Sequence, residues 1–265
     1  MKSNLTREFL IDFPLNLGRY PSFINAVIRL AQQKQSSIVC VANVHMFIEA
    51  RRDHDFLEVI KNSEIVTPDG KPLTWALKGL YGIKQDRVAG MDLLPDLLRI
   101  MSEQHISAYF YGGQPEMLDK AKVYLKNSYP GLNIAGFYSP PFRALNCLEE
   151  NKIIEEINKT LPSVVFVILG CPKQEKWMAS MKGKIDTVMV GIGGALPVML
   201  GIQKRAPRWM QNSGLEWLFR LSQEPIRLFK RYWQTNNLFV WIFLKEFFKI
   251  KIFKYLSDKN IEKKI

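Results

Sequence analysis

Residues 164–169 read VVFVIL, six apolar side chains in a row. In an extended strand, successive side chains point to opposite faces, so such a run must be buried on both. Only a sheet covered by helices on each side provides that, and such sheets are predominantly parallel. Five further runs read as strands: SSIVCVA (36–42), SEIVT (63–67), ISAYFYG (106–112), NIAGFYS (133–139) and TVMVGIG (187–193). Between them, helical periodicity predicts helices over 21–34, 44–61, 71–81, 91–104, 114–128, 145–159, 173–182 and 194–203. The alternation specifies an α/β fold: a Rossmann-like, mostly parallel sheet flanked by helices.

Composition divides the chain. Of the net charge of +12, residues 201–265 carry 14 Lys and Arg against 5 Asp and Glu. They also hold four of the six tryptophans, Trp209, Trp217, Trp233 and Trp241. The expected organisation is a Rossmann-like core over 1–203 and a basic, aromatic helical appendage over 204–265. The longest uninterrupted apolar stretch of that appendage, Leu238 to Leu244, is seven residues, whereas a bilayer span needs roughly 20. Bulky rings with interleaved Lys and Arg suit a segment lying on a membrane surface. A partner-protein or self-association surface, and hence a homo-oligomer, is the alternative reading. Because the basicity is confined to the tail, it does not describe a nucleic-acid footprint. Three widely spaced cysteines, Cys40, Cys147 and Cys171, suggest neither a disulfide framework nor a metal cluster, and a reducing cytoplasm fits them. The N-terminus shows no signal-peptide pattern.

In parallel sheets, sites form beyond the carboxyl ends of the strands. Six segments fall there: ANVH (42–45), the Asp-Gly of TPDGKPL (67–73), YGGQPE (111–116), YSPPF (138–142), GCPKQEKW (170–177) and GIGGAL (191–196). They supply the candidate contacts Asn43, Asp69, Gly70, Gly112, Gly113, Gln114, Gln174, Glu175, Gly191, Gly193 and Gly194. Asp-Gly pairs also serve ordinary turns, and tight connections need glycine in any case. The YGG turn before a helix offers unpaired N–H groups to an anion such as a diphosphate. GIGGAL lacks the third small residue of a dinucleotide fingerprint, since Leu196 stands there, and no Lys-Ser/Thr pair completes a phosphate loop. No Asp-x-Asp pair follows a strand, so a leaving diphosphate would depend on arginines. Arg87 is one candidate. Arg220, Arg227 and Arg231 form another, at spacings of seven and four along one helical face. The same arginines can instead form a solvated face pairing with Glu216 and Glu224. Of the histidines, only His45 follows a strand, and no nucleophilic triad or zinc spacing is legible.

TPDGKPLTWALK, RVAGMDLLPDLL, YGGQPEML, GCPKQEKWM and above all GIGGALPVMLGIQKRAPRWMQNSGLEWLFRLSQEPIRLFKRY resemble the WecG/TagA/CpsF glycosyltransferases over about residues 10–235. That resemblance implies a GT-E-type, N-acetylmannosaminyltransferase-like inverting enzyme that needs neither metal nor cofactor. It would be peripheral to the cytoplasmic face of the membrane and move a sugar from a UDP-sugar to a polyprenyl-diphosphate-linked saccharide. The products would be surface polymers such as capsule, exopolysaccharide or teichoic acid. It implies Asp69 as general base, Arg87 as stabiliser of the diphosphate, and Arg220, Arg227 and Arg231 as closing over the site. The chain departs from the family at Val41-Ala42, where a hydroxyl residue is usual before the Asn, and at Lys71-Pro72. A noncatalytic membrane-docked nucleotide-binding module and an NAD-linked oxidoreductase are the rival readings.

Overall fold

The computed structural model describes residues 5–262. The chain opens with a hairpin, β1 (Thr6–Leu10) and β2 (Phe13–Leu17), followed by α1 (Tyr20–Gln33), β3 (Ser37–Ala42), α2 (Val44–Arg52), α3 (His54–Lys61), β4 (Ile65–Pro68), α4 (Lys71–Tyr81) and α5 (Gly90–Glu103). Then come β5 (Ser107–Gly112), α6 (Pro115–Ser128), β6 (Asn133–Tyr138), α7 (Cys147–Thr160), β7 (Val164–Ile168), α8 (Lys173–Met181), β8 (Val188–Gly191) and α9 (Ala195–Met199). Three helices finish the chain: α10 (Arg208–Asn212), α11 (Glu216–Gln223) and α12 (Pro225–Glu262).

The main sheet has six parallel strands in the order β4-β3-β8-β7-β5-β6. Its two faces explain the apolar runs. Val164, Phe166 and Ile168 enter a core shared with α1, α5 and α6. Val165 and Val167 enter the opposite core, shared with α2, α3, α4, α7 and α8. The hairpin stands beside the sheet's β4 edge. There the buried Asn16 side chain accepts the Val66 N–H at 2.7 Å, pairing a donor that an edge strand would leave open.

The predicted strands all appear within two residues of their expected ends. Three local differences have physical reasons. The hairpin β1–β2 carries no glycine turn signal; Ile11 itself takes the left-handed conformation, φ 65°. The helix expected over 44–61 is two helices, because Asp53 ends α2 and caps α3, its side chain accepting the Phe56 N–H at 3.0 Å. The helix expected over 194–203 stops at Met199, because Gly201 takes the left-handed conformation, φ 69°, and the Ile202 N–H turns back to the Pro197 carbonyl at 2.9 Å.

α12 packs on α2 and α4. Leu228, Thr235 and Phe239 are buried on its inner face, and the Phe239 ring meets Phe47 edge-on at 5.3 Å between centroids. Gly79 of α4 makes room for the Phe243 ring, which a Cβ there would meet at 3.1 Å. On the outer face Ile226, Phe229, Trp233, Val240 and Leu244 are exposed. No helix among the described residues is long and apolar enough to cross a membrane.

Candidate active site

A cavity of about 700 Å³ opens beyond the carboxyl ends of β3, β4, β7 and β8 and is closed on its far side by α11 and α12. Asp69 sits on its sheet side. Pro68 ends β4, and the Asp69 N–H turns back to the Ala42 carbonyl at 2.6 Å and the Thr67 carbonyl at 3.1 Å. The next residue, Gly70, takes φ 96°, a conformation that L side chains rarely adopt, and Pro72 stands in the first turn of α4. A second tie comes from Val88, whose N–H reaches the Pro68 carbonyl at 3.0 Å while its own carbonyl accepts the Thr67 hydroxyl at 3.1 Å. The backbone is thus fixed while the Asp69 carboxylate makes no side-chain hydrogen bond with the described residues. Burial and, next, the neighbouring Glu216 carboxylate push its pKa up to about 7, against the opposing pull of Arg87 and Arg220.

Arg87, in the segment leading into α5, is held on both sides. Its Nη1 donates to Glu216 at 2.5 Å and its Nη2 to Asp92 at 3.0 Å. Asp92 also pairs with Arg205. These contacts tie the segment after residue 204 to the core.

Arg220 comes from α11 and makes no ion pair or side-chain hydrogen bond with the described residues. Its guanidinium lies over the glycine turn that follows β8, where a Cβ on Gly194 would stand 2.5 Å from its Nη2. Glycine at that position lets the cation rest on the backbone. Arg231 lines the same cavity, with its buried Nε unpartnered and its guanidinium 5.5 Å from the Tyr232 ring centroid. Arg227 also lines it but is paired with Glu224, as the solvated-face reading anticipates. The companion pairing differs: Glu216 goes to Arg87 rather than to a neighbouring arginine of its own face.

The other candidates divide between cavity and surroundings. Asn43 lines the cavity while its side chain caps α2, accepting the Met46 N–H at 3.2 Å. Gln174 lies between the turns after β7 and β8. Its Oε1 accepts the Gly170 N–H at 3.1 Å, and its Nε2 donates to Glu175 at 2.7 Å. Gly191 leaves room for this amide, since a Cβ there would stand 2.8 Å from Nε2. Gly70, Gly193 and Gly194 also line the cavity. Glu175 does not; it is fully buried behind Gln174, and burial pushes its pKa up to about 7. Gly112, Gly113 and Gln114 lie outside the lining as well. Gly112 allows close strand packing, a Cβ there standing 2.8 Å from the Ile168 carbonyl, and Gln114 begins α6 exposed to solvent.

Sequence reasoning missed the place of Glu216, whose partner is 129 residues away, and of the exposed rings Trp75 and Trp217 on the lining. It did suggest His45, which lines the cavity with its pKa lowered by burial and by Arg231. No cluster of three or more His, Cys, Asp or Glu able to hold a metal occurs among the described residues. The cavity therefore pairs an unpartnered carboxylate with an unpartnered guanidinium on glycine backbone. Such a site can take a proton from one group and receive negative charge on another.

Comparison with known proteins agrees with that chemistry. An N-acetylglucosaminyldiphosphoundecaprenol N-acetyl-beta-D-mannosaminyltransferase of Bacillus subtilis (strain 168) is 29% identical over 222 residues, covering 83% of this chain and 85% of that protein. A protein of the same name from Staphylococcus aureus (strain NCTC 8325 / PS 47) is 28% identical over 193 residues, covering 71% of this chain and 73% of its own length. The glycosyl transferase WecG/TagA/CpsF family profile matches residues 9–252, nearly the whole chain and every element that lines the cavity, and the protein belongs to that family.

Proposed function

We propose that the protein is an inverting glycosyltransferase that moves N-acetylmannosamine, or a related uronic acid or hexose, from a UDP-sugar to an undecaprenyl-diphosphate-linked saccharide. The observation that carries this reading is the Asp69 carboxylate, which makes no hydrogen bond with the described residues and faces a cavity that also holds Arg220 over Gly194. The names of the relatives supply the substrate class.

In this mechanism, the acceptor hydroxyl oxygen attacks the anomeric carbon of the donor. As that C–O bond forms, the bond to the β-phosphate breaks, the hydroxyl proton passes to Asp69, and UDP leaves with the electron pair. An unperturbed Asp, with a pKa near 4, would be a weak partner. One held near 7 sits at the working pH, where a fixed base contributes about 10²–10⁴-fold. Arg220 and Arg231, on the appendage side, are positioned for the charge growing on UDP, and Arg87 adds its field from the base side. The glycine turns after β7 and β8 let the diphosphate approach backbone. Leaving-group stabilisation then requires no divalent cation.

A lipid-linked acceptor sets the location. The outer stripe of α12, from Ile226 to Leu244, is suited to the headgroup layer, with the cavity mouth alongside. We infer peripheral attachment to the cytoplasmic face, with residues 204–265 as the docking and site-closing appendage. UDP release, measured over a panel of UDP-sugars with a short-chain diphosphate-linked N-acetylglucosamine acceptor, tests the proposal. Acceptor-dependent release from one or a few donors, with inverted product, is expected. Absence of release with every donor, or nicotinamide reduction instead, overturns it.

A further inference from the structure

Asp69 shares its neighbourhood with a single core arginine and three carboxylates, counting itself. Arg87 is the natural partner for the base, yet its two terminal nitrogens are engaged elsewhere, Nη1 by Glu216 at 2.5 Å and Nη2 by Asp92 at 3.0 Å. Both members of the Arg87–Glu216 pair are largely buried, their side chains 11% and 18% exposed, so the contact is not a screened surface pair. The Asp69 carboxylate is left without a hydrogen bond to the described residues, its oxygens available to an incoming hydroxyl.

We propose that Glu216 is a positioning residue of the reaction: by occupying Arg87 it keeps that guanidinium off the Asp69 carboxylate and leaves the base unneutralised. This deepens the function proposed above and rests on Asp69 being the base. Because Glu216 begins α11, the appendage would supply part of the base's environment as well as cations for the leaving group.

The electrostatics agree in sign. A carboxylate next to a free guanidinium is held in its ionised form and becomes a weaker base; a carboxylate next to another carboxylate becomes a stronger one. Facing Asp69 are Arg87 and Asp92 from α5 and its approach, and Glu216 and Arg220 from α11. Lys71 begins α4, the helix that follows Asp69, and His45, Arg227 and Arg231 stand further round the cavity. Of the influences that raise the Asp69 pKa, Glu216 is second only to burial. Replacing it with Gln removes a like charge and turns a charge-assisted hold on Nη1 into a weaker neutral one, two changes that act in the same direction.

The test uses the full chain with its lipid-linked acceptor and reads kcat against pH for wild type, Glu216→Gln, Glu216→Asp and Asp69→Asn. For wild type, the rising limb is expected near pH 7. In Glu216→Gln it should move down by at least about one unit, and the plateau should fall about tenfold as the base weakens. Glu216→Asp retains the charge and should return the limb most of the way to its wild-type position. A carboxyl ¹³C titration of Asp69, assigned by its absence in Asp69→Asn, should show the same displacement whatever the activity of the variant. An unmoved titration in Glu216→Gln, or equal displacement by Gln and Asp, overturns the inference. If instead Asp69→Asn turns over normally, the base assignment itself fails, a result distinguishable from the first.

Discussion

The sheet wall of the cavity and its appendage wall are held in place by different means. Asp69, Gly193 and Gly194 stand on turns fixed by backbone hydrogen bonds between strands, such as the Asp69 N–H to the Ala42 carbonyl and the Gly193 N–H to the Val167 carbonyl at 3.2 Å. Arg220 and Arg231 stand on helices docked through side chains: the Phe239–Phe47 contact, Phe243 on Gly79, and the Arg87–Glu216 and Arg205–Asp92 pairs. One wall is as rigid as the sheet, and the other can be loosened by changing a few side chains. The proposed proton acceptor belongs to the first wall and the arginines proposed to meet the leaving group to the second. Chemistry would therefore depend on an element whose outer face is built for contact with something else.

The largest effect that sharpens this contrast is expected at Arg220. Removing a preorganised cation from developing negative charge typically costs about 10²-fold or more in turnover. Arg220→Ala should lose about that much in kcat with the core unchanged by circular dichroism. Arg227→Ala, which breaks an existing pair with Glu224, should lose several-fold less. Equal losses would break the distinction between a free and a committed arginine.

A smaller effect tests the outer face of α12. Exposed Phe229 and Trp233 stack at 6.2 Å between centroids, beside Ile226. Burying such a side chain is worth about 1.5–3 kcal/mol. The variant Phe229→Ser with Trp233→Ser should reduce binding to anionic vesicles by at least about tenfold. Turnover of a short, water-soluble acceptor should be largely retained. Undiminished vesicle binding would reassign the stripe to a protein partner or a second copy of the chain.

A third effect is thermodynamic and belongs to the rigid wall. The folded state holds the Asp69 proton up to about pH 7, whereas the unfolded chain releases it near pH 4. Stability must therefore fall as pH rises through that window, and Asn, which does not titrate, escapes the loss. Asp69→Asn should raise the melting temperature at pH 8 and give little change at pH 5, as scanning calorimetry would show. A variant less stable at pH 8 would mean that the carboxylate is satisfied rather than strained. The smallest expected effect is that of a chelator: with guanidinium groups meeting the diphosphate, EDTA should leave turnover within about twofold, and a large loss would assign that charge to a metal.

How much of this the sequence discloses follows the same division. The strands are legible because VVFVIL and its counterparts must feed cores on both sides of the sheet, as Val164 and Val165 do. Asp69 is legible because an Asp-Gly pair directly after such a strand falls where parallel sheets place their sites. Glu216 is not, since no local pattern announces a partner in a different layer 129 residues away. Gly112 shows the opposite difficulty. A glycine pair before a helix resembles an anion cradle, but here its missing side chain admits the Ile168 carbonyl, a packing need that reads identically in sequence. The spacing of Arg220, Arg227 and Arg231 reads as one helical face, but the helix breaks at Glu224-Pro225, which puts Arg220 on α11 and the other two on α12, and spacing does not reveal that Glu224 commits Arg227.

The most direct test is the turnover of Asp69→Asn at pH 8 on the lipid-linked acceptor, measured beside its affinity for UDP. A loss of at least about a hundredfold in kcat with UDP affinity unchanged is the expected result. Near-normal turnover, or a loss explained entirely by weaker UDP binding, would remove the carboxylate from proton transfer.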